Sequence, residues 1–242
     1  MISEHQPTIF PEGFRVVLSS VEDGNMKFAS GVDANEVWTN RELFLKRNHI
    51  DIERTNLVRI SYDSTDFRRY GIAPDEETGV SMHDWHDTKP RDALATGVEG
   101  SGLFLPIADC CALVLVDTAL KCIMLSHIGR HSAEQGGAAA SVEFMREKFG
   151  SKPEDILAWL SPAVGKASYP LHAFDGKGLS EVIVEQLHAA GVRPENIEVS
   201  PIDTATDDNY FSHSEFKRGH QPFDGRQAVA VMIEAPKSNL LH

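Results

Sequence analysis

The stretch Ile107-Ala-Asp-Cys110-Cys111-Ala-Leu-Val-Leu-Val-Asp117-Thr-Ala-Leu-Lys121-Cys122-Ile-Met-Leu-Ser-His127 decides the fold. Two apolar runs, Leu113–Val116 and Cys122–Leu125, flank the more polar Asp117–Lys121, a pattern that predicts an antiparallel hairpin. A turn centred between Thr118 and Ala119 sets residue 110 directly across from residue 127. Cys110 and His127 then form a cross-strand pair with Cβ atoms about 5 Å apart, and Cys111 faces the other way. Thr-Ala is not a favoured two-residue turn, and a slip of one residue would put the two side chains on opposite faces. A thiol beside an imidazole supports two chemistries: the imidazole takes the thiol proton to make a nucleophile, or both groups bind a borderline metal such as zinc. Against both stands the ordinary role of a buried cysteine as a small hydrophobe.

Outward from the hairpin, short β-branched runs recur at Arg15–Leu18, Leu57–Ile60, Ile156–Leu160, Ile197–Val199 and Ala228–Ile233, and each predicts a strand. Ser132-Ala-Glu-Gln135 has the spacing of a capping box and predicts a helix from Ser132 to Gly150, with Ala138, Val142, Met145 and Phe149 on one face. A second helix is expected from about Gly178 to Ala190 and a third over Asn40–Arg47. The segment 63–90 is polar and acid-rich and reads as a loop insertion. Helices alternating with strands predict a mixed α/β fold, a sheet sandwich covered by helices, in one domain spanning 1–242.

The 36 acidic and 23 basic residues give a formal charge of −13, and no basic run exceeds two residues. Such a surface repels phosphate backbones and anionic lipid, so neither nucleic acid nor membrane is an expected partner. The amino terminus has no basic start followed by an apolar run, and three cysteines make no disulfide framework, so free thiols and a cytoplasmic location are expected.

Asp92-Ala-Leu-Ala-Thr96, Ile107-Ala-Asp-Cys110 and Ser126-His-Ile-Gly129 together resemble, in order, the Asp-Ala-Leu-Val-Thr, Thr-Ala-Asp-Cys and His-Ala-Gly-Trp-Arg-Gly motifs of the laccase-domain family. Its members are described as polyphenol oxidases, purine nucleoside phosphorylases and peptidoglycan-editing factors. Asn40-Arg41, Leu160-Ser-Pro-Ala-Val-Gly165, Tyr169, Phe211-Ser212 and Gly225-Arg226 extend the resemblance over most of the chain. It implies the family's α/β sandwich, related to the Cys-His domain of cytotoxic necrotising factor toxins. It also implies a pocket in which two histidines and a cysteine bind zinc, with a purine nucleoside and phosphate as the small-molecule partners. The cysteine and the later histidine map onto Cys110 and His127, as catalytic residues and metal ligands.

The first family histidine does not map: Leu57-Val-Arg-Ile-Ser-Tyr62 puts Ser61 or Tyr62 in its place. His83 or His86 could supply the third zinc ligand from the neighbouring segment, or remain ordinary surface histidines; with two ligands alone, zinc should be weak or absent. Tyr62, His131, Phe211 and Arg226 are the candidate substrate-binding residues, His131 through its place near the start of a helix, where free N–H groups attract anions. Three readings follow. The first is an enzyme acting on purine nucleosides, by phosphorolysis or deamination, or on a related small metabolite. The second is a non-catalytic ligand-binding relative with a degenerate zinc site. The third is a metal-free Cys-His amide hydrolase in which Asp109 or a backbone carbonyl orients the imidazole. Copper-dependent phenol oxidation would need several histidine clusters that the chain lacks.

Overall fold

The computed structural model describes residues 1–29, 31–84, 86 and 88–235. In chain order its strands are β1 (Phe14–Leu18), β2 (Thr55–Leu57), β3 (Tyr70–Ile72), β4 (Ala93–Thr96), β5 (Gly102–Ile107), β6 (Cys111–Asp117), β7 (Cys122–Ile128), β8 (Ile156–Leu160), β9 (Ile197–Val199) and β10 (Gln227–Ile233). Its α-helices are α1 (Ala34–Arg47), α2 (Val80–His83), α3 (Arg130–Glu134), α4 (Gly137–Phe149), α5 (Leu179–Ala189) and α6 (His213–Arg218).

The two-residue period of β6 sets the layering. Ala112, Val114 and Val116 point to one face and Leu113 and Leu115 to the other, and both faces are fully buried, which is why the run is apolar without a break. The first face, with Ile123 and Leu125 of β7, packs on Leu103, Leu105, Val229 and Val231 of a four-stranded sheet ordered β1-β10-β5-β2. The second face, in the six-stranded sheet β3-β4-β7-β6-β8-β9, is covered by Ala138, Val142 and Met145 of α4 and by Leu179, Ile183 and Leu187 of α5. Phe44 and Leu45 of α1 cover the outer face of the four-stranded sheet against Phe104, Ala230 and Met232. The result is helix, sheet, sheet, helix, the mixed α/β sandwich expected from the sequence. Each fully buried Leu or Val in these layers contributes about 1.5–3 kcal/mol of transfer free energy.

The hairpin forms with a different register. Ala112 pairs with His127 and Asp117 with Cys122, so the turn is four residues long and centred between Ala119 and Leu120. Asp117 is the cause: its carboxylate accepts from the N–H groups of Ala119 (3.0 Å) and Leu120 (2.9 Å), and Lys121 closes the turn at φ 48°. The shift is two residues, an even number, so Cys110 and His127 remain on the same face as diagonal neighbours and Cys111 points away, against Leu113 and Ile128.

Other expectations change as well. The helix expected from Ser132 begins earlier, at Arg130 straight after β7, and breaks at Gln135 and Gly136, where Gly136 adopts φ 73° before α4 starts. Ser132 therefore lies inside α3, buried, and does not cap it. The segment 63–90 contains β3 and α2; β3 is only three residues and Gly71 is its centre, too short for a period to show. Leu57–Ile60 was expected as a strand, but pairing covers Thr55–Leu57, with Val58 N–H still donating to the Phe104 carbonyl at 2.8 Å. No helix among the described residues is long and apolar enough to cross a membrane.

Candidate active site

Asp109 makes the turn from β5 into β6 with φ 66°, a left-handed conformation that costs free energy in a residue with a side chain. Three contacts hold it there: its carboxylate accepts from Thr204 Oγ1 (2.9 Å) and the Ser214 N–H (2.7 Å), and its carbonyl accepts from the Val164 N–H (2.8 Å). The turn presents Cys110 to a cavity of about 620 Å3, which His127, Tyr62, His131 and Arg226 also line. Asp109 is engaged as this anchor, so of the two groups expected to orient the imidazole in an amide hydrolase, its carboxylate or a backbone carbonyl, the first is taken up elsewhere.

His127 sits near the end of β7 and is 6 % exposed. Gly129, two residues on, leaves the space that the thiol fills: a Cβ at this position would lie 2.8 Å from Cys110 Sγ and 3.5 Å from His127 Cε1. Tyr62 stands edge-on to the imidazole, with ring centroids 6.4 Å apart. Most of its ring is open to solvent, but its hydroxyl end is turned inward to the Cys110 sulfur. Behind His127 lies an ion pair in which the carboxylate is fully buried and the guanidinium half-buried. Asp92, the residue whose carbonyl accepts the His127 N–H at 2.8 Å, takes Arg69 Nε at 2.7 Å and Nη2 at 2.9 Å, and the Arg69 Nη2 also donates to the Ser61 carbonyl at 2.6 Å. The pair thus connects the floor of the imidazole to the segment that carries Tyr62.

Burial pushes the Cys110 thiol up to about 11, helped by the Asp109 charge and opposed by Arg226 and the Tyr62 hydroxyl. Burial also pushes His127 down to about 4, where Asp92 opposes the shift and Arg226 and Arg69 add to it. Both groups are therefore neutral at pH 7, a thiol beside a neutral imidazole rather than a thiolate–imidazolium pair. The unfolded chain protonates His127 near pH 6.5 and the folded one near pH 4, so between these values the unfolded state binds more protons. Stability then falls as pH falls through that window, by about 3 kcal/mol at most. Urea unfolding at pH 7 and pH 4.5 should show a smaller loss in His127→Gln than in the wild type; an identical loss would mean that His127 is not held neutral by burial.

The other sequence candidates separate. His131 lines the cavity and stacks on Phe67 at 4.8 Å, and Arg226 lines it from the residue before β10. Phe211 does not line it: this side chain is buried against Phe223 and fills the space over Gly225. His83 and His86 also lie outside the lining; His83 accepts from the Trp38 indole and faces Glu53 at 3.0 Å, and His86 contacts Asp84 at 3.0 Å. The loop histidines therefore do not complete a ligand set with Cys110 and His127. Among the described residues no three His, Cys, Asp or Glu side chains converge as a metal site. Tyr62, a phenol held above its usual range, occupies the third position, and the charge of Arg226 acts on both Cys110 and His127. This donor set does not fit a catalytic zinc or copper centre, which takes three protein ligands or more.

Sequence reading missed Lys27, Arg41, His213 and Asp224 in the cavity wall and the Asp92–Arg69 pair behind it. Asp224 accepts from His213 Nδ1 at 2.8 Å and Arg226 Nη1 at 2.5 Å; although burial opposes it, these bonds hold its carboxyl down to about 2. Asp92 carried a signal, a charge placed immediately before the apolar Ala93–Ala95. Lys27, Arg69 and Asp224 lie in segments without period, whereas Arg41 and His213 sit on α1 and α6, where the pattern does not show which side chain turns to the cavity.

The model of a family described as multi-copper polyphenol oxidoreductase laccase matches residues 15–174 and 174–234. A protein of Corynebacterium glutamicum named purine nucleoside phosphorylase is 35% identical over 86 residues, 36% of this chain and 35% of that protein. A purine nucleoside phosphorylase of Mus musculus is 28% identical over 102 residues, 42% of this chain and 24% of that protein. The matches thus span well under half the length of these relatives. YlmD from Geobacillus stearothermophilus has the same fold, with a TM-score of 0.84 at 22% identity over 97% of this chain and 98% of that one. The hypothetical protein YfiH of Bacillus licheniformis gives 0.77 at 22% identity over 87% and 85%.

Proposed function

The chain belongs to the laccase-domain family, and from that premise we propose that the cavity around Cys110 and His127 is the active site of an enzyme acting on purine nucleosides, by phosphorolysis or deamination, or on a related small metabolite. The observation that carries the reading is the bare Gly129 over the Cys110 sulfur, which keeps thiol and imidazole together at the cavity wall. The names of the relatives support the substrate class. So does the cavity, whose volume is in the range of small-ligand sites and whose wall combines apolar Leu57, Val58, Ile60 and Phe67 with a few polar groups.

The donor set does not fit a metal, so the roles fall to the protein's own side chains. In this reading the neutral His127 accepts a proton, Arg226 faces negative charge as it develops, and Tyr62 and Phe67 hold an aromatic ring at the mouth. The amide hydrolase would need His127 to take the Cys110 proton, and burial, which raises the thiol and lowers the imidazole, opposes that transfer. The altered third ligand position favours a second reading, a relative that binds a nucleoside without turning it over.

Incubation of the wild-type protein with adenosine and with inosine, with and without phosphate, and chromatography of the products separates these readings. Phosphate-dependent release of free purine identifies phosphorolysis, and conversion of adenosine to inosine identifies deamination. Saturable nucleoside binding with neither product would overturn the enzyme reading in favour of the binding relative.

A further inference from the structure

Phosphorolysis and deamination of a nucleoside make one common demand, because each replaces a carbon–nitrogen bond with a carbon–oxygen bond. In phosphorolysis the electron pair of the bond to ribose leaves with the purine, an oxygen of hydrogen phosphate bonds the anomeric carbon, and the phosphate proton ends on the purine. In deamination a water oxygen bonds the ring carbon, the amino group leaves as ammonia with one water proton, and the other proton settles on the ring. Both move a proton from the attacking oxygen to nitrogen, so the cavity needs a side chain that takes up a proton and returns it within one turnover. Histidine is suited to this near neutral pH. Three histidines line the cavity. His127 is buried and its ring bonds no carboxylate among the described residues, and His131 stacks on Phe67 with Glu134 4.0 Å away. His213 alone has a hydrogen-bonded carboxylate: its Nδ1 lies 2.8 Å from Asp224 Oδ1.

This pair is fixed from both ends. His213 is the first residue of α6, whose cap Ser212 accepts the Glu215 N–H through Oγ at 3.2 Å. The adjacent Ser214 N–H donates to the carboxylate of Asp109, one residue before Cys110, at 2.7 Å. The Asp224 segment is braced by the Phe223 ring packed on Phe211, with centroids 5.3 Å apart, and by the Arg226 guanidinium, which donates to Asp224 Oδ1 at 2.5 Å. Although burial opposes it, Arg226 and His213 hold the Asp224 carboxyl down to about 2, so at neutral pH it is a carboxylate and can only accept. His213 Nδ1 is therefore the donor, which leaves Nε2 to take and return a proton. The His213 side chain is 43% exposed, so a proton on it exchanges with water without opening the fold. The other charges of this corner are Arg226 and Lys27, which share the Asp224 charge, and Asp109 behind the helix start. Glu215, on the same helix as His213, is engaged by Arg218 and His220.

We propose that His213 is the catalytic residue that carries the proton from the attacking oxygen to the nitrogen side of the nucleoside, with Asp224 as the residue that positions its ring. The proposal rests on the reading of the cavity as a purine nucleoside site. The bond from Ser214 to Asp109 puts this shuttle beside the turn that presents Cys110, and the charge of Arg226, which bonds Asp224, acts on both Cys110 and His127. One substrate thus meets thiol and imidazole from the β6–β7 hairpin and the proton shuttle from the start of α6.

The test is steady-state turnover of adenosine, and of inosine with phosphate, by the wild type, His213→Gln, His213→Ala and Asp224→Asn from about pH 5 to about pH 9. His213→Gln should lose about 100-fold in kcat with KM changed by less than about threefold. The wild-type rate should fall at both ends of the range, where the ring never gives up its proton or has none to give, and His213→Gln should lose this bell shape. Imidazole in the buffer should restore at least about tenfold to His213→Ala and nothing to Cys110→Ala. Asp224→Asn keeps the shape but no longer fixes which ring nitrogen carries the proton, and should lose at least about tenfold in kcat. Urea unfolding of each variant at the wild-type midpoint shows that the fold is intact. A lower rate with wild-type pH dependence and no rescue by imidazole would mean that His213 only props the wall, and would overturn the shuttle. Product formed by His213→Gln at the wild-type rate overturns the shuttle and leaves the cavity reading standing, whereas a wild type that forms no product refutes that reading and the shuttle with it.

Discussion

Asp92→Ala is expected to lower the free energy of unfolding by about 3–5 kcal/mol, because it leaves the Arg69 guanidinium without its carboxylate in a site where Asp92 is fully buried. The carboxylate accepts the backbone N–H of Arg69 at 3.0 Å as well as two side-chain N–H groups, so one truncation removes three charge-assisted bonds. The effect should reach the site, since Arg69 also holds the Ser61 carbonyl, next to Tyr62, and the Asp92 charge acts on His127. Urea unfolding of Asp92→Ala, Arg69→Met and the double variant measures it. The double variant should recover part of the loss, because neither charge is then stranded. A loss below about 1 kcal/mol in Asp92→Ala would mean that the pair behaves as a solvent-screened surface bridge.

The second large effect is expected at Gly129. Its φ of −106° is open to any residue, so the need for glycine is one of space alone. In Gly129→Val the added Cβ would require the place of the Cys110 sulfur, and the thiol would have to rotate away from His127. A displacement of about 1 Å at a reacting group costs about 100-fold in rate, so turnover of the nucleoside should fall by at least that factor. Stability should fall by much less, since the thiol borders a cavity with room to receive it. Unchanged turnover in Gly129→Val would show that the position of Cys110 does not matter to the chemistry.

The pairing of Cys110 with His127 was legible because a shared face depends only on whether the register is even or odd, and the two-residue change at the turn preserved it. The register itself was not legible, because it is decided by the side chain of Asp117 bonding to the turn, a contact that alternation does not report. The layers followed from buried runs such as Leu113–Val116 and Ala228–Ile233. By contrast β4, Ala93–Thr96, is alanine-rich with little strand preference, and β5, Gly102–Ile107, contains Pro106; both were missed although they lie in the middle of their sheets. In the site, residues near the hairpin were found, whereas Lys27, Arg41 and Asp224 are brought in by long-range backbone bonds such as that between Met26 and Arg226. Phe211 was a candidate because of its motif, but that motif serves packing against Phe223 and Gly225.

The most direct measurement is the rate of product formation from a purine nucleoside by the wild type beside Cys110→Ala, with both proteins shown to unfold at the same urea concentration. If the cavity is the active site, the wild type forms free purine or the deaminated nucleoside and Cys110→Ala loses at least about 100-fold of that rate. Equal rates in the two proteins would contradict the account by placing the chemistry away from Cys110.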